Sequence, residues 1–277
     1  MAAHRDVGVQ AGTSTAQDPD QQVGIIIVHH QTPELLQRCL RQLSAQTAAF
    51  PVTTLVVDNA SPGMAVRELV AAFPEVQFIL NPDNVGFARA CNQGMRAVTA
   101  PFCLLLNPDA LPDAEALDWL VQLMRDYPRA GVVAPRLLNP DGSLQYSCRR
   151  FPTARVLFIR AARLDRLFRR TVDRYLMRDW DHGVQRPVDW AIGACLLLRR
   201  AALDDVGWLD ERFFLYYEDL DLCHRMWQRG WDVRYEPAAT VRHEHQRGSA
   251  ARWLNRLAWV HACSLVRLLR KHRLGWW

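Results

Sequence analysis

No C-x-x-C pair occurs in the 277 residues, and the seven cysteines (Cys39, Cys91, Cys103, Cys148, Cys195, Cys223 and Cys263) are odd in number and scattered. That excludes a disulfide scaffold and a zinc ribbon, and leaves the thiols as small core residues of a protein in a reducing compartment. No apolar run approaches the length needed to span a bilayer. No basic stretch followed by an apolar one marks a signal peptide. The chain is therefore expected in the cytoplasm, free or attached peripherally to the cytoplasmic face of the inner membrane. A Gly-rich phosphate loop near the N-terminus is missing, which argues against a nucleotidyltransferase. There is no Arg/Lys-rich arm, zinc-finger spacing or RRM-like aromatic motif, so nucleic acid is not an expected partner. Internal repeats and a clear linker are also absent.

What is present is ordinary globular composition, 49% hydrophobic and 23% charged, with a formal net charge of +5. Such a chain can bury a sizeable core, and its mild basicity suits an anionic substrate or a membrane surface. Residues 1–22 lack periodicity and are expected to be a disordered leader. Val23–Val28 is a continuous β-branched run, the pattern of a strand buried on both faces. Thr32-Pro33-Glu34 opens a helix, with Thr32 as its cap. Leu55–Val57 is a second strand, ending in the turn residues Asp58-Asn59-Ala60-Ser61-Pro62-Gly63. A helix follows over Val66–Phe73, a strand over Val76–Leu80, a loop at Asn81–Gly86 and a helix over Phe87–Val98. The next strand, Phe102–Leu106, ends in Asn107-Pro108-Asp109, and Leu117–Tyr127 is helical.

Strands alternating with helices at short spacing imply βαβ units and a mostly parallel, Rossmann-like sheet flanked by helices. Ligands of such sheets bind beyond the carboxyl ends of the strands, so Asp58 and Asp109 are expected to face one crevice. The second half is less regular. Val132–Ala134 reads as a strand, Arg149–Arg178 as a basic block that can meet phosphates or, more usually, form a solvated helix face with snorkelling arginines, and Val188–Leu198 as one long apolar strand-like run. Val233–Tyr235 is a short strand, and His243-Glu244-His245 is expected in a loop. Residues 250–277 form an amphipathic C-terminal helix rich in Trp, Leu and Arg. It can lie in a membrane interface or pack on the domain, and both readings stand.

The densest chemistry is Phe213-Phe214-Leu215-Tyr216-Tyr217-Glu218-Asp219-Leu220-Asp221, three carboxylates behind an apolar wall. Burial raises a carboxyl's pKa toward general-base duty, whereas a helix start lowers it; Asp221 is assigned the structural role. A strand-end aspartate can accept hydrogen bonds from a base or ribose, or hold a divalent cation on a diphosphate, but Asp and Asn also simply favour turns. His29 and His30 end the first strand, where an imidazole can stack on a nucleobase or satisfy a polar neighbour. His243 and His245 can ligate a metal through neutral imidazole.

Together these segments resemble family 2 glycosyltransferases of the GT-A fold, especially the bacterial rhamnosyltransferase-like branch. The resemblance rests on Asp58-Asn59-Ala60-Ser61, Asn81-Pro82-Asp83-Asn84-Val85-Gly86-Phe87-Ala88 with Asn92, Leu106-Asn107-Pro108-Asp109-Ala110, and Trp190 with Gly193-Ala194. It continues through Asp210–Cys223, Arg229-Gly230-Trp231, His243 and Gly248-Ser249. It implies one GT-A domain over residues 23–249 and an inverting transfer of a sugar from a nucleotide diphosphate donor. Carried over by position, it implies His30, Asp58, Asn59, Asn84, Gly86, Phe87 and Asn107 for the nucleotide sugar, and Trp190, Gly193 and Ala194 for the acceptor. Asp109 and His243 would hold Mg²⁺ or Mn²⁺, and Asp219 would be the base with Glu218 beside it. Two positions depart from the family pattern: His29-His30-Gln31 ends the first strand, and Asn107 stands where the metal triplet usually begins with Asp. The implied reaction moves L-rhamnose from dTDP-L-rhamnose to a glycan or lipid-linked acceptor in cell-surface polysaccharide synthesis. The competing readings are a UDP-sugar hexosyltransferase of the same fold and a catalytically weak GT-A-like scaffold.

Overall fold

A computed structural model describes residues 22–244 and 254–272. The expected leader up to residue 21, His245, Gly248-Ser249 and the tail tryptophans Trp253, Trp276 and Trp277 lie outside the described residues. The first half runs β1 (Val23–His29), α1 (Pro33–Ser44), β2 (Val52–Asn59), α2 (Ala65–Ala72), β3 (Gln77–Asn81), α3 (Phe87–Ala97) and β4 (Phe102–Leu106). β5 (Ala110–Pro112), α4 (Ala116–Asp126), β6 (Ala130–Leu138), β7 (Cys148–Arg149), α5 (Ala154–Ala161) and α6 (Arg169–Tyr175) follow. Then come β8 (Arg186–Pro187), β9 (Trp190–Ala191), β10 (Cys195–Arg199), α7 (Arg200–Val206), α8 (Glu218–Gln228), β11 (Asp232–His243) and α9 (Leu254–His272).

The main sheet has the order β3-β2-β1-β4-β10-β6-β11-β5. β1, β2, β3 and β4 are mutually parallel, as the βαβ alternation requires, and β10 enters antiparallel between β4 and β6. Alternate residues of β1 feed two cores: Ile26 packs with Leu55, Leu105 and Leu196 on one face, and Ile25 and Ile27 with Val56, Leu104 and Leu197 on the other. Burial on both faces is the reason these strands read as unbroken apolar runs.

Four local expectations change. Thr32 makes no side-chain cap; its backbone N–H instead donates to His29 Nε2 at 3.0 Å. The Val188–Leu198 run is two strands, β9 paired with β7 in a separate two-stranded sheet and β10 in the main sheet, with a turn at Ile192–Ala194 between them. β11 is twelve residues long rather than three, so His243 closes a strand instead of sitting in a loop. The basic block is not one solvated helix: Arg149 belongs to β7, and α5 and α6 close on a small core of Ile159, Val172 and Leu176.

α9 packs on the domain. Leu268 is fully buried, Ser264 Oγ donates to the Leu215 carbonyl at 2.9 Å, and Lys271 Nζ and His272 Nε2 reach Asp221 Oδ1 at 2.7 and 2.6 Å. Its outward side carries Trp259 and Val266. Among the described residues no helix is long and apolar enough to cross a membrane.

Candidate active site

The carboxyl ends of β1 and β2 bring His29 and Asp58 into register as neighbours. His29 is fully buried, with Nδ1 2.7 Å from Asp58 Oδ1. Because His29 Nε2 accepts the Thr32 N–H, the ring proton of a neutral His29 lies on Nδ1 and points at the carboxylate. Asp58 Oδ2 accepts the Ser61 N–H at 3.0 Å. Burial pushes the Asp58 carboxyl up, but the bonds from His29 and Ser61 outweigh it and hold the group below the usual carboxylate range. Asp58 is thus a fixed anion at a strand end. His30 lies beside it, with Nδ1 2.8 Å from the Asn59 carbonyl oxygen.

Asn59 is a loop brace. Its Nδ2 donates to Asn84 Oδ1 (2.9 Å) and to the Gly86 carbonyl (3.3 Å), and its Oδ1 accepts from Val85 N–H (3.0 Å) and Asn81 Nδ2 (3.3 Å). Those four bonds use the full capacity of a primary amide, so the expected free contact from Asn59 to a nucleotide is not available in this arrangement. Asn84 Oδ1 also accepts the Gly86 N–H at 3.0 Å. The loop then turns through Gly86 at φ 88°, and Phe87 N–H donates to the Phe214 carbonyl at 2.7 Å. A Cβ on Gly86 would stand 2.8 Å from the Phe214 ring and 2.8 Å from its carbonyl oxygen. The loop past β3 is therefore pressed onto the carboxylate-bearing stretch. Asn92 fastens the same two regions from below, donating to the Leu209 carbonyl at 2.8 Å and to Glu211 Oε1 at 3.0 Å.

Past β4, Asn107 N–H donates to the Ala194 carbonyl at 2.9 Å, and the Asp109 carbonyl accepts the Glu244 N–H at 2.9 Å. Asp109 Oδ1 lies 3.4 Å from His243 Nε2. His243 Nδ1 meets Gln145 Oε1 at 2.7 Å, and the Gln145 amide is oriented by donating its own Nε2 to Asn139 Oδ1 at 3.0 Å. With Nδ1 donating to Gln145, a neutral His243 turns its Nε2 lone pair toward Asp109, and a divalent cation between them would find two donors. Among the described residues no group of three or more His, Cys, Asp or Glu side chains is arranged to hold a metal. Two protein donors still fit a small divalent cation that takes its remaining ligands from water and diphosphate oxygens.

On the other side of the crevice, Tyr216 and Tyr217 both adopt φ 70°, a left-handed backbone that turns the chain sharply into α8. Glu218 and Asp219 follow at its first turn. Asp219 is partly open to solvent; its Oδ2 accepts the Gly193 N–H at 2.8 Å and its Oδ1 the Leu220 N–H at 2.8 Å. Glu218 is buried, and its Oε2 has no hydrogen-bond partner. Desolvation raises both carboxyls, Glu218 well above its usual value, with the adjacent Asp219 charge adding to the effect. The backbone N–H groups favour the charged form of Asp219, so the proton of the pair belongs on Glu218. Asp221 behaves oppositely: burial pushes it up, but His272, Arg225 and Lys271 hold it below the ordinary range.

A profile described as "Glycosyltransferase like family 2" matches residues 19–262. The chain belongs to glycosyltransferase family 2. It is 30% identical to an N-acetylglucosaminyl-diphospho-decaprenol L-rhamnosyltransferase of Mycobacterium tuberculosis, over 91% of this chain and 85% of that protein. Among solved structures it is similar to GalNAc-T7 with UDP, GalNAc and Mn²⁺ (TM-score 0.62, 13% identity), covering 81% of this chain and 44% of that one. It is also similar to the Pyrobaculum calidifontis mannosyltransferase PcManGT in complex with GDP-Man and Mn²⁺ (TM-score 0.56, 19% identity), covering 88% and 63%. At these identities the structures establish the shared GT-A fold.

In this family 2 glycosyltransferase a series of contacts runs through many of the expected site residues. His29–Asp58 connects through Asn59 to Gly86-Phe87, and Phe87 reaches Phe214 in the Glu218-Asp219 stretch. Asp219 meets Gly193, Ala194 meets Asn107, and Asp109 meets His243. Trp190 is buried, and its Nε1 donates to the Arg150 carbonyl at 2.9 Å. Of the two roles open to His29, the structure shows the satisfied polar one, against Asp58; Gln145 behind His243 escapes the sequence reading, and Arg149 enters it only as one member of a basic block. The strand register of β1 and β2 is the signal for His29; nothing in the local sequence around Gln145 or Arg149 marks them.

Proposed function

We propose that this chain is an inverting glycosyltransferase that moves L-rhamnose from dTDP-L-rhamnose to a hydroxyl of a lipid-linked sugar in cell-surface polysaccharide synthesis. The observation that carries the reading is the Ile192–Ala194 turn, whose neighbouring residues touch both halves of the crevice: Gly193 N–H binds Asp219 and the Ala194 carbonyl binds Asn107. The rhamnosyltransferase relative supports the donor and the lipid-linked acceptor.

In this reading the Asp58 pocket, with His30, Asn84, Gly86 and Phe87, receives the nucleotide. Asp109 and His243 hold Mg²⁺ or Mn²⁺, which when bound neutralises charge on the leaving diphosphate. Asp219 accepts the proton of the acceptor hydroxyl. The hydroxyl oxygen forms its bond to the anomeric carbon as the bond from that carbon to the diphosphate oxygen breaks. The nucleoside diphosphate leaves with the bonding pair, and a single displacement from the opposite face inverts the configuration. Trp190, Gly193 and Ala194 line the acceptor side. The exposed Trp259 of α9 suits a peripheral contact with the membrane that carries such an acceptor.

The test is a thermal-shift screen of nucleotide sugars with Mn²⁺, because a ligand that binds only the folded state raises the transition temperature by mass action. dTDP-L-rhamnose should stabilise the protein and UDP- or GDP-sugars should not. Stabilisation by UDP-sugars alone would move the donor to the hexosyltransferase class, and no shift with any nucleotide sugar would overturn the enzyme reading.

A further inference from the structure

Ten arginines and two aspartates lie between residues 149 and 178, although the whole chain carries a formal net charge of only +5. The aspartates near this block are engaged: Asp165 with Arg160 (3.5 Å), Asp173 with Arg178 (3.1 Å) and Arg169 (3.3 Å), and Asp179 with Arg150 (3.7 Å). Of the six arginines of the block outside these pairs, Arg149 is the one that is not exposed. Its guanidinium carbon lies 5.6 Å from the Trp190 ring centroid and 5.9 Å from that of Tyr175, its Nε is buried without a partner, and among the described residues it has no ion pair with a carboxylate. Burial acts against its charge, as do the like charges of Arg160 and Arg178, while Tyr175 and Asp219 favour it. Its buried Nε still has no hydrogen-bond partner, and an anion delivered from outside would relieve that cost.

The position of this cation is fixed by backbone. Arg149 pairs with Trp190 across the β7–β9 ladder, Ile192 N–H donates to the Ser147 carbonyl at 3.2 Å, and Phe151 N–H donates to Asp189 Oδ2 at 2.6 Å. The same 189–193 segment ends at Gly193, which holds Asp219. Arg149 therefore stands on the acceptor side of the base. The two rings lie close to the guanidinium, whose Nε is left without a partner, and a guanidinium suits bidentate recognition of phosphate.

We propose that Arg149 is the anion receptor of the acceptor site, binding a phosphate attached to C1 of the acceptor sugar while Asp219 faces a hydroxyl of that sugar. The ligand class is a glycosyl diphosphate lipid, and the inference rests on the glycosyltransferase reading above. It gives the buried Arg149 Nε a partner and explains why the guanidinium sits beside the base.

The test compares the purified full-length parent with Arg149→Gln and Arg149→Lys on two soluble acceptors, in the absence of vesicles. One is a short-chain N-acetylglucosaminyl diphosphate lipid and the other an uncharged alkyl N-acetylglucosaminide. Removing the arginine also removes a positive charge near Asp219, but that slows both acceptors alike and cancels in their ratio. Arg149→Gln should lower the ratio of kcat/KM for the charged over the uncharged acceptor by about 10- to 100-fold, the value of one charge-assisted contact. Arg149→Lys should fall between, because it keeps the charge and loses the fork. The transition temperature of Arg149→Gln is measured alongside, so that loss of the fold is told apart from loss of acceptor recognition. An unchanged ratio, or a difference seen only after anionic vesicles are added, overturns the proposal. Calorimetric binding of the diphosphate acceptor to parent and Arg149→Gln is measured in parallel. If no donor supports transfer, the glycosyltransferase reading fails, and equal acceptor binding by the two proteins separately overturns the role of Arg149.

Discussion

Isosteric substitution should separate the two adjacent carboxylates of α8. Asp219 accepts backbone N–H groups from Gly193 and Leu220, both at 2.8 Å, whereas Glu218 Oε2 is buried with no partner. Each hydrogen bond to an ionised group contributes about 1.5–3 kcal/mol, so two of them favour a negative charge at 219 over 218 by about 3–6 kcal/mol. Glu218 is then a neutral acid, which glutamine mimics in shape and charge. Asp219→Asn should lower kcat by about 10²- to 10⁴-fold, the usual contribution of a general base, while the donor-induced thermal shift persists. Glu218→Gln should keep kcat within about tenfold, the scale of one neutral hydrogen bond. Burial raises the Asp219 carboxyl against the pull of its N–H donors, so the acid limb of kcat should lie above the ordinary aspartate range. That limb should stay in place in Glu218→Gln, because a neutral Glu218 exerts no charge on its neighbour. Stability adds a check of sign. Glu218 has a raised folded pKa, so its contribution is full below the unfolded glutamate value and is lost as pH rises through the folded value. Glu218→Gln should therefore gain stability relative to the parent as pH rises. The assay is release of nucleoside diphosphate in the presence of acceptor, from acid to neutral pH. Equal losses in the two variants, or an acid limb that moves down in Glu218→Gln, would refute the assignment of the proton.

Asp221→Asn should destabilise the fold by about 3–5 kcal/mol, because it strips the buried counter-ion from Arg225, Lys271 and His272. The lowered Asp221 pKa means its contribution is present above the unfolded carboxyl value and lost as pH falls through the folded one, so the gap in denaturation midpoints should close in acid; a gap independent of pH counts against the cluster. Gly86→Ala combines a strained φ of 88° with a contact of 2.8 Å to Phe214, and should cost about 2–4 kcal/mol by urea unfolding. Parent-like stability there would mean the loop is not pressed on Phe214 in solution. Asp109→Ala should abolish the Mn²⁺-dependent part of the donor thermal shift, as EDTA should in the parent; a full shift in EDTA would remove the metal from the scheme.

The first half of the fold was legible because each parallel strand is buried on both faces and is followed at once by its helix, so pattern and topology are local. The second half resisted for physical reasons that individual residues display. β11 contains Arg234, Glu236 and Pro237, which look unlike a buried strand. Arg234 lies 3.5 Å from the Tyr127 ring centroid, Glu236 accepts from Gln185 Nε2 at 2.7 Å, and the register with β6 shifts between Glu236 and Thr240. Tyr127 and Gln185 lie far from β11 in sequence, so no local window reveals these contacts. The apolar run from Val188 hid a change of sheet at Gly193 for the same reason. Nothing local set Arg149 apart from the other arginines of its block, because its place near Trp190 and Tyr175 is made by pairing β7 with β9.

The residue types and their order determined the family, the parallel half of the sheet and the candidate carboxylates, because strand ends and helix starts are set by local periodicity and turn chemistry. Only the tertiary structure decided what state each carboxylate is in. Asp58, Glu218, Asp219 and Asp221 are chemically similar acids, yet two are pushed up and two held down. Partners far along the chain hold two of them down, His29 for Asp58 and His272 and Lys271 for Asp221, whereas burial outweighs the Gly193 N–H at Asp219 and dominates at Glu218. Charge in a protein is governed by what surrounds it in space, and that surround exists only once the chain has folded.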